Sequence, residues 1–434
     1  MKLNKQILNL AVPNIVSNLS VPLLSSVDTA LVGHLPQTYF IGAVALGTMI
    51  FNFIYWGFGF LRMGTTGLTA QAYGRKDEKG MQLIFARAML AAIVFGIVLV
   101  FLQYPLAKIS FMLIDASAEA EQFADSYFKI RIFAAPATLT HYVLLGWFFG
   151  NQNARYPLIL VVTANLLNAV FDALLVLVFN MNSDGVALGT VAAQYLSLIL
   201  GFILLKKFSP EVFKLLSLKR VLDWPELKRF FAVNGDIFIR TLCLVFAFSF
   251  FTAKSAEFGD TILAANAILL NLWMVISYGV DGFAYAAESL VGRYFGARDL
   301  SGLKKMIRQL FIWGIGMGVS FSLIFIIFDR PLLSLFSNQP DVIETALIFM
   351  VWTYAAPIIN SFCYIWDGIY IGATASVEMR NTMLLATFIF FPLFYIARYY
   401  FGNHGIWLAF TIFMFLRGLT MTVLADKALY RKII

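Results

Sequence analysis

Charged side chains are scarce in this chain: only 13% of its 434 residues are Asp, Glu, Lys or Arg, whereas 60% are hydrophobic. Soluble domains average about 25% charged and roughly 45–50% apolar residues. A chain of this length would divide into soluble domains that each need a polar surface. The composition therefore excludes an ordinary soluble protein. It predicts helices that face lipid, and such helices readily accommodate the 44 phenylalanines.

Cysteine and histidine are also rare, with 2 and 3 copies. Cys243 and Cys363 lie far apart in separate apolar stretches and show no metal or redox spacing. The histidines are isolated near the ends of such stretches, at His34, His141 and His404. Because no nucleophile–base pair or metal motif is present, we expect neither an enzyme nor a cofactor-binding protein.

Long apolar stretches predict membrane-spanning helices, since a helix needs roughly 20 apolar residues to cross the hydrocarbon layer. The twelve predicted spans lie near residues 7–34, 41–72, 82–103, 125–150, 157–179, 184–206, 226–253, 261–291, 303–327, 343–372, 381–400 and 404–426. The first span contains Asn14, Asn18 and Asp28 and is too long for the apolar region of a secretory signal peptide.

Basic residues are concentrated in alternate loops, which hold 23 of the 32 Lys and Arg residues. The opposite loops hold only Lys108, Lys254, Arg330 and Arg398. The positive-inside rule then places both termini in the cytoplasm. We expect a multi-pass protein of a bacterial inner membrane that contacts lipid. The net charge of +8 is mainly this topology signal, and no basic surface suited to nucleic acid is present.

An internal repeat relates the two halves of the sequence. GRKDEKG at residues 74–80 matches GARDLSG at 296–302, an offset of 222 residues. Close to that offset, the glycines that follow each Ala-Ala-Pro triplet also match, namely Gly146 and Gly150 with Gly368 and Gly372. Each half holds six spans, an even number, so both halves enter the membrane in the same direction.

This repeat predicts an all-α membrane protein with two six-helix bundles related by a pseudo-two-fold axis along the membrane normal. The expected domains are residues 1–206 and 226–434, joined by a cytoplasmic linker at 207–225. The natural substrate site is a central cavity between the bundles.

Several long motifs carry a family resemblance. They are SVDTALVGHL at 26–35, FLRMGTTGLTAQAYG at 60–74, NLLNAVFD at 165–172, DGFAYAAE at 281–288 and IGATASVEMRN at 371–381. Together they resemble the multidrug and toxic compound extrusion (MATE) family, most of all its DinF branch, over nearly the whole chain. The resemblance implies twelve helices in two bundles. It also implies export of cationic or amphipathic drugs in exchange for protons or sodium ions.

Polar residues of the first half fall in one layer of the predicted membrane. Asp28 and Asp172 each lie about seven residues before the outer end of a span, roughly 10 Å below the outer surface at 1.5 Å per residue. Thr190 lies at a similar depth, and Asn168 is one turn from Asp172 on the same helix face. Ionisable residues inside spans are costly and mark candidate functional sites.

Two carboxyl groups in one water-poor layer disfavour simultaneous ionisation, so one of them can carry a proton near neutral pH. The same acids, with Asn and Thr oxygens, could instead bind Na⁺, because hard cations prefer oxygen ligands. The resemblance implies that Asp28, Asn168, Asp172 and Thr190 form the cation-coupling site together with Tyr127. The alternative interpretation is that these groups only hold helices together through hydrogen bonds.

The second half lacks this acidic layer and carries a different set of charges. Asp236 and Arg240 are four residues apart on one helix, a spacing that predicts an ion pair. Asp281, Asp367 and Arg417 lie in the inner halves of their spans and could compensate one another. We interpret this set as a structural network, with a gate or a second coupling site as the alternative.

An amphipathic organic cation is the expected substrate, held by Asp28 and by aromatic and thioether side chains. Candidates for the cavity wall are Met49, Met63, Phe148 and Met274. The rival function is a flippase for lipid-linked precursors, whose cavity would need Arg or Lys to hold phosphate. The acidic layer favours the cation exporter, and we expect it to act as a monomer.

Overall fold

The computed structural model describes residues 2–33, 37, 39–112, 118–213 and 217–433, and in these ranges the chain is helical with no strand. For a few helical residues, Asp28 among them, only the backbone is described. The helices of the first part are α1 (Lys2–Gly33), α2 (Tyr39–Gly57), α3 (Phe60–Gly74), α4 (Glu78–Phe101), α5 (Gln103–Met112), α6 (Ala118–Arg131), α7 (Ala135–Gly150), α8 (Arg155–Ala173) and α9 (Asn182–Phe208). They are followed by α10 (Leu218–Val221), α11 (Trp224–Ser255), α12 (Asp260–Gly296), α13 (Leu300–Ile327), α14 (Asp329–Ser334), α15 (Pro340–Gly372), α16 (Ser376–Ala425) and α17 (Arg431–Ile433).

Among the described residues, 10 helical segments are long and apolar enough to cross a membrane. The last of them, Ser376–Ile433, is interrupted at Gly402, whose φ of 56° is not helical. Counting its two parts separately, and adding α1 at the position of the first predicted span, gives the twelve helices expected from the sequence. The expectation of an all-α membrane fold is confirmed.

A buried polar network surrounds the break at Gly402. Asn403 and Asn266 exchange side-chain hydrogen bonds of 2.7 and 3.0 Å. The Trp407 indole also donates to Asn266 Oδ1 at 2.8 Å, and Asn266 donates to Ser255 Oγ at 2.9 Å. The network therefore ties the start of the last span to α11 and α12, and it provides partners for buried amides that would otherwise be costly.

Four helix ends share one backbone conformation. α3, α7, α12 and α15 each end in a glycine, and the residue two positions later is a non-glycine in the left-handed region. Those residues are Lys76 (φ 57°), Gln152 (φ 62°), Arg298 (φ 56°) and Thr374 (φ 51°). Lys76 and Arg298 are 222 residues apart, as are Gln152 and Thr374, so the loops repeat at the offset that the sequence shows.

The two matching loop motifs also cap their following helices in the same way. Asp77 accepts a hydrogen bond of 2.8 Å from the Gly80 backbone N–H, and Asp299 accepts one of 2.8 Å from Gly302. An acidic residue at this position satisfies an otherwise unpaired donor at the start of α4 and of α13. The sequence match at 74–80 and 296–302 thus reflects one capping motif used twice.

Helix packing repeats at the same offset, because glycines let two helices touch backbone to backbone. The pairs are Gly146 with Arg62 and Gly150 with Thr66 where α7 meets α3, and Gly368 with Ala284 and Gly372 with Glu288 where α15 meets α12. A Cβ added to any of these glycines would lie 2.3–3.0 Å from the partner's carbonyl oxygen. The glycines matched by sequence therefore have the same packing role in both halves.

Contacts divide the chain into two compact units. One consists of Met1–Ile15, Ala70–Lys76 and Ala232–Ile434, and the other of Val16–Thr69 and Asp77–Phe231. The core of the first is aromatic, with buried Trp273 and Phe410 rings 5.3 Å apart. The domain boundaries expected from the sequence repeat, 1–206 and 226–434, stay a prediction.

The C-terminal turn of α3 belongs to the first unit because it packs on the ends of α12 and α15. Gln71 Nε2 donates to the Gly372 carbonyl oxygen at 3.1 Å. A Cβ at Gly74 would lie 2.1 Å from the Arg293 carbonyl oxygen, and one at Gly296 would lie 2.1 Å from that of Gln71. The two glycine contacts are copies of each other at the 222-residue offset, so α3 and α12 meet reciprocally here.

Candidate functional site

Three of the expected coupling residues lie together between α8 and α9. Asn168 and Asp172 are one turn apart on the buried face of α8, and the Asp172 side chain is 0% exposed. Asn168 Nδ2 donates to Asp172 Oδ2 at 2.7 Å and makes a longer bond of 3.4 Å to Thr190 Oγ1 on α9. The polar group Asn168–Asp172–Thr190 is thus a hydrogen-bonded cluster that joins two helices.

Gly189 lets the carboxyl group reach the α9 backbone. A Cβ at Gly189 would lie only 2.0 Å from Asp172 Oδ1 and 3.1 Å from the Asp172 backbone nitrogen. Any larger residue would therefore push Asp172 or α8 away. Reasoning from sequence missed this residue, because a glycine beside Thr190 has no feature that reveals which helix it meets.

A π-helical turn follows the acid directly. Residues Leu174–Val178 form this turn, closed by a bond of 3.2 Å from the Phe179 N–H to the Leu174 carbonyl oxygen. Single π-helical turns occur mainly as local bulges within helices and are frequent at functional sites. Here the turn changes the register of the chain just after Asp172.

The chemistry of the cluster is that of an oxygen-rich, water-poor site. Thr190 Oγ1 donates its proton to the Val186 carbonyl oxygen at 3.0 Å, so it offers only lone pairs to its neighbours. The Asp172 carboxyl oxygens, the Asn168 amide oxygen and Thr190 Oγ1 are all hard ligands. Such a group can hold a proton on the carboxylate or coordinate Na⁺.

The fourth expected residue, Tyr127, lies in a second polar group. Its hydroxyl is 3.3 Å from Thr48 Oγ1 and accepts a hydrogen bond from Arg131 Nη1. Arg131 also donates to Thr48 at 3.1 Å, and its guanidinium lies 5.0 Å from the centre of the Phe51 ring. Among the described residues, the hydrogen bonds of Tyr127 thus join it to Thr48 on α2 and to Arg131 on its own helix, α6. Arg131 and Thr48 were not expected from the sequence, although a basic residue one turn after Tyr127 was a usable signal.

The fifth residue, Asp28, lies on α1, but its side chain is outside the described residues. Its contacts with the α8–α9 cluster stay a prediction.

The charges of the second half form a buried triad. Asp367 on α15 accepts hydrogen bonds from Arg240 on α11 and from Arg417 on α16, the latter at 2.7 Å. All three side chains are buried. The compensation expected between Asp367 and Arg417 is present. Arg240 joins it, and the expected participation of Asp281 stays a prediction.

The ion pair expected between Asp236 and Arg240 is wrong. Asp236 accepts hydrogen bonds from Ser376 Oγ at 2.7 Å and from Arg380 Nη1 at 2.6 Å, both on α16. Arg240 turns to Asp367 instead. Side chains four residues apart can pair on an isolated helix, but here partners on neighbouring helices bind both.

The residues expected to line a substrate cavity differ in their accessibility. Met49 is exposed, and Met63 and Met274 are partly buried. Phe148 is fully buried, and its ring packs edge-on against Tyr156 and Phe208 at 5.3 and 5.9 Å. In this structure Phe148 is therefore a core residue and does not line an open cavity.

Comparison with known proteins identifies the family of this chain. The MatE family model matches the chain twice, at residues 13–174 and 237–398, once in each half. The DNA damage-inducible protein F of Escherichia coli (strain K12) is 36% identical, with 97% of this chain and 92% of that protein covered. A probable multidrug resistance protein NorM of Thermotoga maritima is 24% identical over 79% of this chain and 74% of that protein.

Solved structures show the same fold. The Vibrio cholerae MATE transporter VcmN, in its bent form, superimposes with a TM-score of 0.87 and 18% identity, covering 99% of this chain and 98% of that one. The sequence matches extend over both halves, and the matching family is one of transporters rather than enzymes. This chain belongs to the MatE family of multidrug and toxin efflux transporters.

Proposed function

We propose that the protein is a secondary antiporter that exports amphipathic organic cations in exchange for H⁺ or Na⁺. We further propose that it acts as a monomer without a cofactor, in a bacterial inner membrane, with both termini in the cytoplasm. The observation that carries the proposal is the buried Asn168–Asp172–Thr190 cluster. A fully buried carboxyl group among apolar helices is costly, and a coupling role accounts for that cost.

The mechanism that fits this cluster is competition for carboxylates. Ionised Asp28 and Asp172 attract a cationic drug or an ion, and protonation from outside removes that attraction and releases the drug. Each ligand then favours a different conformation, which is the thermodynamic requirement for coupling. An inward proton and an outward monovalent cation carry equal charge, so a one-for-one exchange is electroneutral, and each unit of the pH gradient, about 1.4 kcal/mol, supports about a tenfold drug gradient.

The flippase alternative requires basic groups that face a phosphate. Arg240 and Arg417 are the buried arginines of the second half, and both donate to Asp367. Two guanidinium groups already bound to a carboxylate are poorly placed to hold a lipid pyrophosphate. Their placement favours the cation antiporter.

Reconstituted liposomes test the proposal directly. Efflux of a fluorescent organic cation is measured with a pH gradient and a Na⁺ gradient imposed separately. We expect one of the two gradients to drive efflux by the wild type. The Asp341→Asn variant replaces an exposed acid outside the cluster, and it should behave as the wild type. Transport of a lipid-linked pyrophosphate, without transport of the cation under either gradient, would contradict the proposal.

A further inference from the structure

The segment between α9 and α11 exposes apolar and basic side chains together. Leu218 is 68% exposed and Trp224 is 72% exposed. Lys219 and Arg220 lie between them and are also exposed, as is Leu222. Exposed tryptophan and leucine are unfavourable in water, whereas tryptophan is favoured at the boundary between lipid and water. We call these five residues the linker surface.

The backbone of this segment is fixed by a buried arginine. Arg87 on α4 donates from Nη2 to the Arg220 carbonyl oxygen at 2.9 Å and from Nε to the Val221 carbonyl oxygen at 3.1 Å. It also pairs with Glu226 at 3.5 Å, and the Val221 side chain is buried. The linker surface is therefore held on the second unit by a guanidinium that is itself about nine-tenths buried.

The position of the segment places it at the membrane boundary. α9 ends at Phe208 and α11 begins at Trp224, and both helices are long and apolar enough to span a membrane. Arg87 lies within the candidate span Glu78–Phe101 and binds the carbonyl groups of Arg220 and Val221, so we expect the linker surface to lie next to the lipid headgroups. The stretch from Lys206 to Arg229 contains 7 basic and 3 acidic residues, so it carries the charge opposite to that of acidic lipids.

We propose that the linker surface binds anionic phospholipid headgroups of the membrane in which the protein is embedded. Lys219 and Arg220 contact the phosphate, and Leu218, Leu222 and Trp224 enter the boundary region beside the acyl chains. The apolar members distinguish a lipid from a free phosphate ion, which would use only the two cations. Arg87 is a positioning residue, because it acts through the carbonyl groups of the linker.

Lipid binding to the purified full-length protein tests this proposal without a transport assay. Short-chain phosphatidylglycerol is titrated and bound lipid is counted by native mass spectrometry, with phosphatidylcholine and inorganic phosphate as separate probes. The K219Q/R220Q variant should bind phosphatidylglycerol roughly 30-fold more weakly, since each basic residue at a membrane surface contributes about fivefold. Trp224→Ala should weaken lipid binding but leave phosphate binding unchanged.

The matched control is K304Q/K305Q, which removes another exposed basic pair, in α13. It should bind phosphatidylglycerol within about threefold of the wild type, because it leaves the linker surface intact. The proposal is overturned if phosphatidylglycerol binds no more tightly than phosphatidylcholine. It is equally overturned if K219Q/R220Q and K304Q/K305Q lose the same affinity, or if free phosphate competes fully with the lipid.

Discussion

Substitution Gly189→Ala should damage the α8–α9 cluster without removing any of its polar atoms. The added methyl group would lie 2.0 Å from Asp172 Oδ1, whereas real Cβ contacts are rarely closer than 3.0 Å. Asp172 must therefore move by about 1 Å or more, since cores resist overpacking. A shift of that size would take the 2.7 Å bond from Asn168 beyond hydrogen-bonding distance.

The expected cost combines two effects. Overpacking a well-packed site costs about 1–3 kcal/mol, and a lost hydrogen bond costs about 1 kcal/mol more. We expect a lower melting temperature in detergent, because the folded state loses this stability. We also expect at least a tenfold loss of gradient-driven dye efflux, on the premise that the displaced carboxyl group binds the coupling ion at least about 1.4 kcal/mol more weakly. The control Gly316→Ala, at a helical site with nothing within 4 Å of the added Cβ, should affect neither measurement. Normal efflux and normal stability in Gly189→Ala would refute this account of the site.

Two further substitutions test the buried networks of the unit that contains Ala232–Ile434. Asp367→Asn should destabilise the protein by about 3–5 kcal/mol, because Arg240 and Arg417 would be left buried without a countercharge. A melting temperature equal to that of the wild type would contradict this. Asn403→Ala should cost about 1–3 kcal/mol, because Asn266 loses its reciprocal amide partner. Thermal unfolding measures that loss, and unchanged stability would show that the network contributes little.

The features that the sequence could predict are those that depend on one helix at a time. Apolar runs predict the spans because the bilayer sets their length. The four-residue spacing of Asn168 and Asp172 predicts one shared face of α8 because of helical periodicity. The 222-residue repeat predicts equivalent glycine contacts, since the same residues recur at the same helix crossings.

What the sequence could not predict depends on which helices meet. The Asp236–Arg240 pair is wrong because each side chain finds its partner on a neighbouring helix. Gly189 becomes important only where α9 crosses Asp172. Phe148 looks like a cavity residue by type, and only its packing against Tyr156 shows that it is enclosed. Composition and spacing contain no information about such contacts.

The central claim is that the carboxyl groups of Asp28 and Asp172 couple ion entry to drug export. Replacement of Asp172 by Asn keeps the size and shape of the side chain and one acceptor oxygen, and it removes the ability to ionise. The same replacement at Asp28 tests the acid whose position is known only along α1.

The decisive measurement is proton- or sodium-driven efflux of a cationic dye from liposomes containing Asp28→Asn, Asp172→Asn or wild-type protein, reconstituted in equal amounts. The account predicts that Asp28→Asn abolishes gradient-driven efflux and that Asp172→Asn impairs it to a similar or smaller extent, with both variants folded and inserted. Full gradient-driven efflux by the Asp28→Asn variant would contradict it.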